Sequence, residues 1–243
     1  MKKAIGYVYV IAAAVCWGFL GLFNRVLTAA GVSLLNMMPL RFGGTAILFT
    51  VFCMMFKQQV FHIKLRHLPI FLGSGLISML LVLCGCALVS GIVGSDVGIS
   101  LEGLLMGLAS ELCYGGYTIF THYGMRYCDS FTMAYWTFLI AGIASLFLAD
   151  GPALLSALAE PRTGLAALGP MVMGTALPFT LYAKGLETVE SGKAAIIANI
   201  EPVMSAVIGV TVFQETLGLW TLVGIVLVLS GVVVLACEKE PDK

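Results

Sequence analysis

The chain has 243 residues, of which 60% are hydrophobic and only 11% charged, with Lys plus Arg and Asp plus Glu balanced at 13 each. Soluble domains carry roughly 25% charged residues, so this much apolar surface excludes a water-soluble globule and makes lipid the solvent. Zero net charge gives no reason to expect a nucleic-acid partner or an acidic substrate.

Apolar runs of about 20 residues, the length that crosses some 30 Å of hydrocarbon as helix, fall at residues 5–28, 34–56, 68–93, 102–123, 130–149, 165–186, 191–213 and 217–237. The expected fold is therefore an all-α membrane protein with eight transmembrane helices. Turn-formers and charges separate the runs: Lys57 to Arg66, Gly94-Ser95-Asp96, Asp150-Gly151-Pro152 and Glu160-Pro161-Arg162. Met1-Lys-Lys before an apolar stretch imitates a signal peptide. No small-x-small site precedes a polar mature start, and seven further runs follow, so an uncleaved first helix is expected. Ala13-Ala14-Val15-Cys16 is a poor lipoprotein site because of its Val.

With the first residue on the cytoplasmic side, Lys2, Lys3, Lys57, Lys64, Arg66, Arg126, Lys184, Lys193, Lys239 and Lys243 all fall on that side, ten of the thirteen basic residues. Positive loops stay inside, so both termini are expected in the cytoplasm of an inner-membrane protein. Of the other three, Arg162 lies in an outer loop. Arg25 and Arg41 sit near the outer ends of the first two runs, where a long side chain can snorkel to the interface.

Two copies of one unit are visible. Gly6 to Cys16-Trp17-Gly18 matches Gly103 to Cys113-Tyr114-Gly115 at a constant offset of 97 (113 − 16), and Leu81-Val-Leu-Cys-Gly85 echoes Leu227-Val-Leu-Ser-Gly231. The second copy covers 128 positions from Gly103 to Gly231, the first only 79 from Gly6 to Gly85, so about 49 residues (128 − 79) lack a counterpart. The offset jumps between Gly75 and Leu81, placing the junction near Met79. Residues 5–93 are read as a shortened first repeat and 102–237 as a complete second one, entering from the opposite side. Inverted repeats with a site between them are a common plan of secondary transporters.

The seven cysteines, Cys16, Cys53, Cys84, Cys86, Cys113, Cys128 and Cys237, lie mostly inside the runs, lack metal-clip spacing and read as small packing residues. No nucleophile–base motif, phosphate loop or histidine cluster is present, so neither an enzyme nor a cofactor is expected.

Polar groups at membrane depth are the candidate substrate-pathway residues, because they are costly there unless paired or hydrated. Glu111, mid-way along the fourth run, faces two readings: proton coupling or cation binding, and a neutral carboxyl in a crevice. Trp17 and Tyr114 are equivalent in the two copies and could stack on a planar or cationic ligand, with packing as the alternative. Tyr117, Thr118 and Thr121 extend a polar stripe along the fourth run, and Thr175, Pro178 and Tyr182 along the sixth. Glu201-Pro202 lies near the centre of the seventh, where proline opens or kinks a helix. Asn199 and Ser205 flank it, with Ser205 on the face of Glu201 by the i, i+4 rule. His122 reads as a solvated residue at the inner interface. Gly18-x-x-Gly21, Gly73-x-Gly75 and Gly169 with Gly174 are read as close helix contacts.

The segment Glu187-Thr-Val-Glu190-Ser-Gly-Lys-Ala-Ala-Ile-Ile-Ala-Asn199-Ile-Glu201-Pro202-Val-Met-Ser205, followed by Phe213-Gln-Glu215-Thr, resembles the ninth helix of EamA-type transporters of the drug/metabolite transporter superfamily. Ala13-Ala-Val-Cys-Trp17-Gly18 is similar to that family's first helix, and Arg41-Phe42-Gly43 to its second. The resemblance implies ten helices in two inverted five-helix repeats and export of small metabolites, amino acids or drugs through a central cavity; with no nucleotide motif in the chain, no ATP is expected. Against that pattern, the chain lacks the end of helix three, helix four and the start of helix five. The expected partners are the lipid bilayer, a small-molecule substrate and, where a second subunit replaces the missing wall, another copy of the chain. The alternatives are a transport-incompetent remnant or interaction subunit, and a small homo-oligomeric multidrug transporter.

Overall fold

A computed structural model describes residues 2–61, 63–89 and 101–237, and among these the chain is helical with no strand. The side chains of Lys2, Lys3, Leu34, Leu65, 81–89, 101–104, Met106, Gly107, Glu111, Trp220 and 234–237 are outside this description. The first apolar run forms α1 (Lys2–Gly18) and α2 (Leu20–Ala29); the second forms α3 (Leu34–Met38), a π-helical turn (Pro39–Gly43) and α4 (Gly44–Phe56). The third and fourth runs give α5 (Leu68–Val89) and α6 (Leu101–Gly124), and the fifth gives α7 (Ser130–Leu146). A short helix absent from the sequence reading, α8 (Gly151–Ala159), precedes α9 (Pro161–Met171), a second π-helical turn (Val172–Ala176) and α10 (Leu177–Leu186). The last two runs form α11 (Ser191–Ala198), α12 (Ile200–Phe213) and α13 (Leu219–Cys237).

Among the described residues, Ala4–Ala29, Leu35–Phe56, Pro161–Leu186 and Ser191–Phe213 are long and apolar enough to cross a membrane. A fifth crossing is added if α7 and α8, bent by 113° at residues 147–150, form one span. The chain is a multi-pass membrane protein. Backbone polarity dictates the all-helical answer, since every N–H and C=O in hydrocarbon must be satisfied within its own segment.

Lipid gives helices no hydrophobic reason to associate, so contact depends on fit. Gly6 and Gly185 let α1 and α10 touch backbone to backbone: a methyl group at position 185 would lie 2.5 Å from Val10 and 3.0 Å from the Gly6 carbonyl oxygen. The glycines read from sequence as contact points behave likewise, Gly73 against Phe120, Gly75 against Ile140, Gly169 against Phe23 and Gly174 against Leu20. Ser74 and Thr137 share a buried hydrogen bond of 2.8 Å between α5 and α7. Cys16 and Cys53 are buried, as expected of small packing residues.

The main core gathers α1, α4, α6, α7, α10 and α11 around Trp17, Phe42, Phe138, Phe179 and Tyr182. A smaller cluster at one end joins Leu27, Val32, Met37, Leu40 and Ala167, with Leu154 and Leu158 of α8 resting on it. The bend into α8 is pinned there by Asn36, whose amide oxygen accepts from the Asp150 backbone N–H at 2.9 Å while its Nδ2 donates to the Asp150 carbonyl at 3.3 Å. Asp150 then caps α8 through the Ala153 N–H.

Candidate functional site

Two interrupted helices meet at their interruptions. Helix α1 stops at Gly18, Phe19 closes a tight turn onto the Cys16 carbonyl at 3.2 Å, and α2 resumes at Leu20. Helix α11 stops at Ala198 and α12 begins at Ile200. Pro202 has no N–H to offer the Ala198 carbonyl one turn back, so the ladder cannot run through unbroken. The kink anticipated at Pro202 thus appears as a break three residues earlier, at Asn199, where the Asn199 Nδ2 donates to the Ala195 carbonyl at 3.2 Å and ties off α11. Gly18 makes the crossing possible: a methyl there would run into Cβ of Met204 and stand 3.3 Å from the Glu201 carbonyl oxygen.

Beside this crossing lies an aromatic cluster. Trp17 of α1, 3% exposed, has its ring centre 6.3 Å from Tyr114 of α6, 5.4 Å from Tyr182 and 5.0 Å from Phe179 of α10. Tyr114 and Tyr182 are 6.0 Å apart, and Tyr117 sits 5.3 Å from Phe179 and 6.5 Å from Tyr182. Edge-on and tilted contacts at these spacings suit the ring quadrupole. Thr118 links the two helices, donating to the Tyr114 carbonyl at 3.0 Å and meeting the Tyr182 hydroxyl at 3.2 Å. Trp17 Nε1 is buried with no hydrogen-bond partner among the described residues, while the Tyr114 hydroxyl stands beside Tyr182 and the Thr121 hydroxyl beside Tyr117. Glu201 lies within electrostatic reach of Tyr114.

A second polar contact joins the two π-helical turns. Pro178 supplies no N–H to the Gly174 carbonyl, and Arg41 Nη2 donates to that oxygen at 3.4 Å. Arg41 Nε donates to the Thr175 hydroxyl at 3.3 Å, and that hydroxyl in turn donates to the Pro170 carbonyl at 2.8 Å. Arg41 is 7% exposed, which corrects the snorkelling position read from sequence. A carbonyl released by proline and a hydroxyl on the facing helix give the guanidinium acceptors inside the bundle.

The sequence-derived candidates therefore divide. Trp17, Tyr114, Tyr117, Thr121 and Tyr182 come together in one cluster, with Glu201 near Tyr114 and Pro202 exposed. Thr175 belongs to the separate Arg41 contact. Asn199 and Ser205 are exposed, Ser205 facing Gly21 of α2. The Glu111 side chain falls outside the described residues. Phe179 was missed, although its i, i+3 spacing to Tyr182 was available as a signal. His122, read as solvated, is half-buried, its Nδ1 without a partner among the described residues. No group of three His, Cys, Asp or Glu with metal-binding geometry occurs among the described residues.

A helical membrane bundle with a broken Asn199–Pro202 helix fits one family on sequence as well: residues 101–237 match the model of the EamA-like transporter family. The chain belongs to that family. As an EamA-type member of the drug/metabolite transporter superfamily, it is 27% identical to the uncharacterized transporter YwfM of Bacillus subtilis over 174 residues, 70% of this chain and 57% of YwfM. It is 24% identical to the uncharacterized inner membrane transporter YicL of Salmonella typhimurium over 154 residues, 60% of this chain and 48% of YicL. To the multidrug resistance protein EbrB of Bacillus atrophaeus it is 32% identical over 87 residues, 35% of this chain and 74% of EbrB. The chain thus spans about half the length of YwfM and YicL. No solved structure matches it. The EamA family assignment and these likenesses place it among membrane proteins of the drug/metabolite transporter superfamily.

Proposed function

We propose that this EamA-family chain exports small organic solutes by alternating access, along a path that passes the crossing of α1, α6, α10 and α12. One observation carries the reading: Trp17, Tyr114 and Tyr182, from three helices, converge where α1 and α12 are both interrupted. Interrupted helices expose backbone polar groups at membrane depth, which is tolerated where a pathway or a protein interior receives them. The rings offer flat apolar faces, and Trp17 Nε1 offers a hydrogen bond not already committed. Glu111, Tyr117, Thr121, Asn199, Glu201, Pro202 and Ser205 complete the candidate lining, with Thr175 as support through Arg41.

In this reading residues 5–93 and 102–237 are inverted repeats, the first shortened by about 49 residues near Met79. The constant offset of 97 between Gly6–Gly18 and Gly103–Gly115 supports that reading. A second reading has a specific observation behind it: the match covers 74% of EbrB, a chain short enough to fit within one repeat. On that reading the chain works as a homo-oligomer whose second copy supplies the absent wall.

Purified chain in proteoliposomes, assayed for flux of a panel of small organic solutes, tests the proposal. A Glu111→Gln variant in the same assay separates proton coupling from passive exchange. A chain with about 49 residues restored near Met79 is the control. Flux through the restored chain with none through the present one would defeat the transport reading and leave a remnant or an interaction subunit. Cross-linking in native membranes decides between the monomer and the homo-oligomer.

A further inference from the structure

Two charge–aromatic contacts stand at opposite ends of the bundle and share one design. At one end Arg25 of α2 pairs with Glu215, Nη1 to Oε1 2.5 Å, while its guanidinium carbon lies 4.3 Å from the centre of the Phe213 ring. At the other, Lys57, directly after α4, pairs with Asp129, directly before α7, and its Nζ lies 4.9 Å from the Phe131 ring centre. In each case the base comes from the first two spans. The acid and the aromatic come from the later part of the chain, two residues apart: Phe213-x-Glu215 and Asp129-x-Phe131, in opposite order.

The ends are fixed by the antiparallel course of the spans. Asn36 and Asp150 join the start of the second span to the end of the fifth, so Lys57 and Asp129 close the other ends of the same two helices. Arg25 lies near the end of the first span, on the Asn36 side.

Both contacts are built but easily undone. Gln214 takes the left-handed conformation (φ 56°), the only non-glycine to do so among the described residues, and this turns Glu215 back so that its N–H bonds the Gly209 carbonyl at 3.1 Å. Backbone strain of this kind is kept only where the surroundings enforce it, and switch regions are among its usual places. Asp129 is held by the Thr132 hydroxyl and by Lys57. Yet the paired side chains are half-exposed, 54% and 47% at one end, 37% and 49% at the other. Ion pairs this exposed add little stability and open readily, which suits a latch better than a structural bolt.

We propose that Arg25–Glu215–Phe213 and Lys57–Asp129–Phe131 are two clasps that hold α2 against α12 and α4 against α7, and that opening one clasp at a time admits solvent to the Trp17 cluster from that end. This rests on the alternating-access reading and adds the residues that do the gating.

The test uses a full-length variant retaining only Cys16, the buried neighbour of Trp17, in sealed vesicles of known orientation. A membrane-impermeant methanethiosulfonate is added on either side. Glu215→Gln is expected to raise Cys16 labelling several-fold from the Arg25 side alone, and Asp129→Asn from the Lys57 side alone. The exchanged pair Arg25→Glu with Glu215→Arg should bring labelling back toward the parent level. Unchanged labelling in both single variants, an equal rise from both sides, or an exchanged pair no better than Glu215→Gln would each overturn the clasps. Labelling needs no substrate. Side-specific labelling without any solute flux would therefore sink the transport reading while leaving the clasps standing.

Discussion

Asn36 and Asp150, 114 residues apart, exchange two hydrogen bonds, side-chain amide to backbone in both directions. This one side chain satisfies the chain where α7 ends and bends by 113° into α8. Replacing Asn36 with Leu keeps the branched shape but removes both hydrogen bonds to the Asp150 backbone, a loss of about 1 kcal/mol for each bond. The expected readout is faster hydrogen exchange at residues 147–153, with α1 and α10 unaffected. Unchanged exchange there would show that α8 is held by other contacts.

Gly18 lies against Met204 and the Glu201 backbone of α12. Gly18→Leu must push Met204 and the Glu201 backbone away, and overpacking of this kind costs about 1–3 kcal/mol. For a chain of this size each kcal/mol corresponds to roughly 2–4 °C in the melting temperature. Thermal unfolding in detergent should show that drop. Gly115, with nothing within 4 Å of an added methyl, should accept Ala without it.

Arg41 depends on Thr175. Thr175→Val is nearly isosteric and removes the acceptor of Arg41 Nε and the donor to the Pro170 carbonyl, so about 1–3 kcal/mol of stability should go. Thr175→Ser keeps both bonds and should retain most of it. If Val and Ser variants melt together, the hydroxyl is not what holds the two π-helical turns.

Asp129 gives a pH dependence with a definite sign. Burial raises its pKa, but hydrogen bonds from Lys57 and Thr132 outweigh that and hold the carboxyl below its ordinary value. A depressed folded-state pKa contributes stability above the unfolded value, about 3.9, which fades as pH falls through the folded one. Nearby, the Cys53 and Cys128 thiols face the same carboxylate, and burial pushes Cys128 up to about 11, so it stays neutral in this range. Wild type should melt above Asp129→Asn at pH 6, and the gap should close below about pH 4. The pair is half-exposed, so the gap should be under about 1 kcal/mol.

Trp17→Phe separates packing from polarity in the aromatic cluster. It keeps a ring against Phe179 and Tyr182 but deletes the uncommitted Nε1–H. Melting should shift only modestly, by about 1–2 kcal/mol of lost contact area. Solute flux falling much further than stability would assign the N–H to the solute, and parallel losses would make Trp17 a core residue.

Much of this was legible in the residues. Composition gave a lipid-soluble helical protein, the apolar runs gave the positions of the helices, and Glu201-Pro202 with Phe213-x-Glu215 pointed to the family. The pairing of Trp17 with Tyr114 followed from the constant offset between copies, and their rings do meet. Small residues at Gly18, Gly73, Gly75, Gly169 and Gly174 marked close contacts because no other residue type permits them. Arg41 was misplaced because a lone cation near a helix end has a cheap route to water, and nothing local revealed the Gly174 carbonyl waiting 133 residues away. Helix α8 was read as loop, since nine residues between two turn signals carry too little period to stand out.

The sequence by itself determined the solvent, the helical state, the family and the residues able to break a helix, because each of these is set by local chemistry or by a short motif. Tertiary structure decided which breaks face each other, which glycine meets which helix, and which of thirteen cations finds an acid. Those choices come from contacts between residues often more than a hundred positions apart, and in lipid they are made by shape and hydrogen bonding rather than by hydrophobic pattern. A pattern that is apolar all round carries no mark of which face a helix will turn inward.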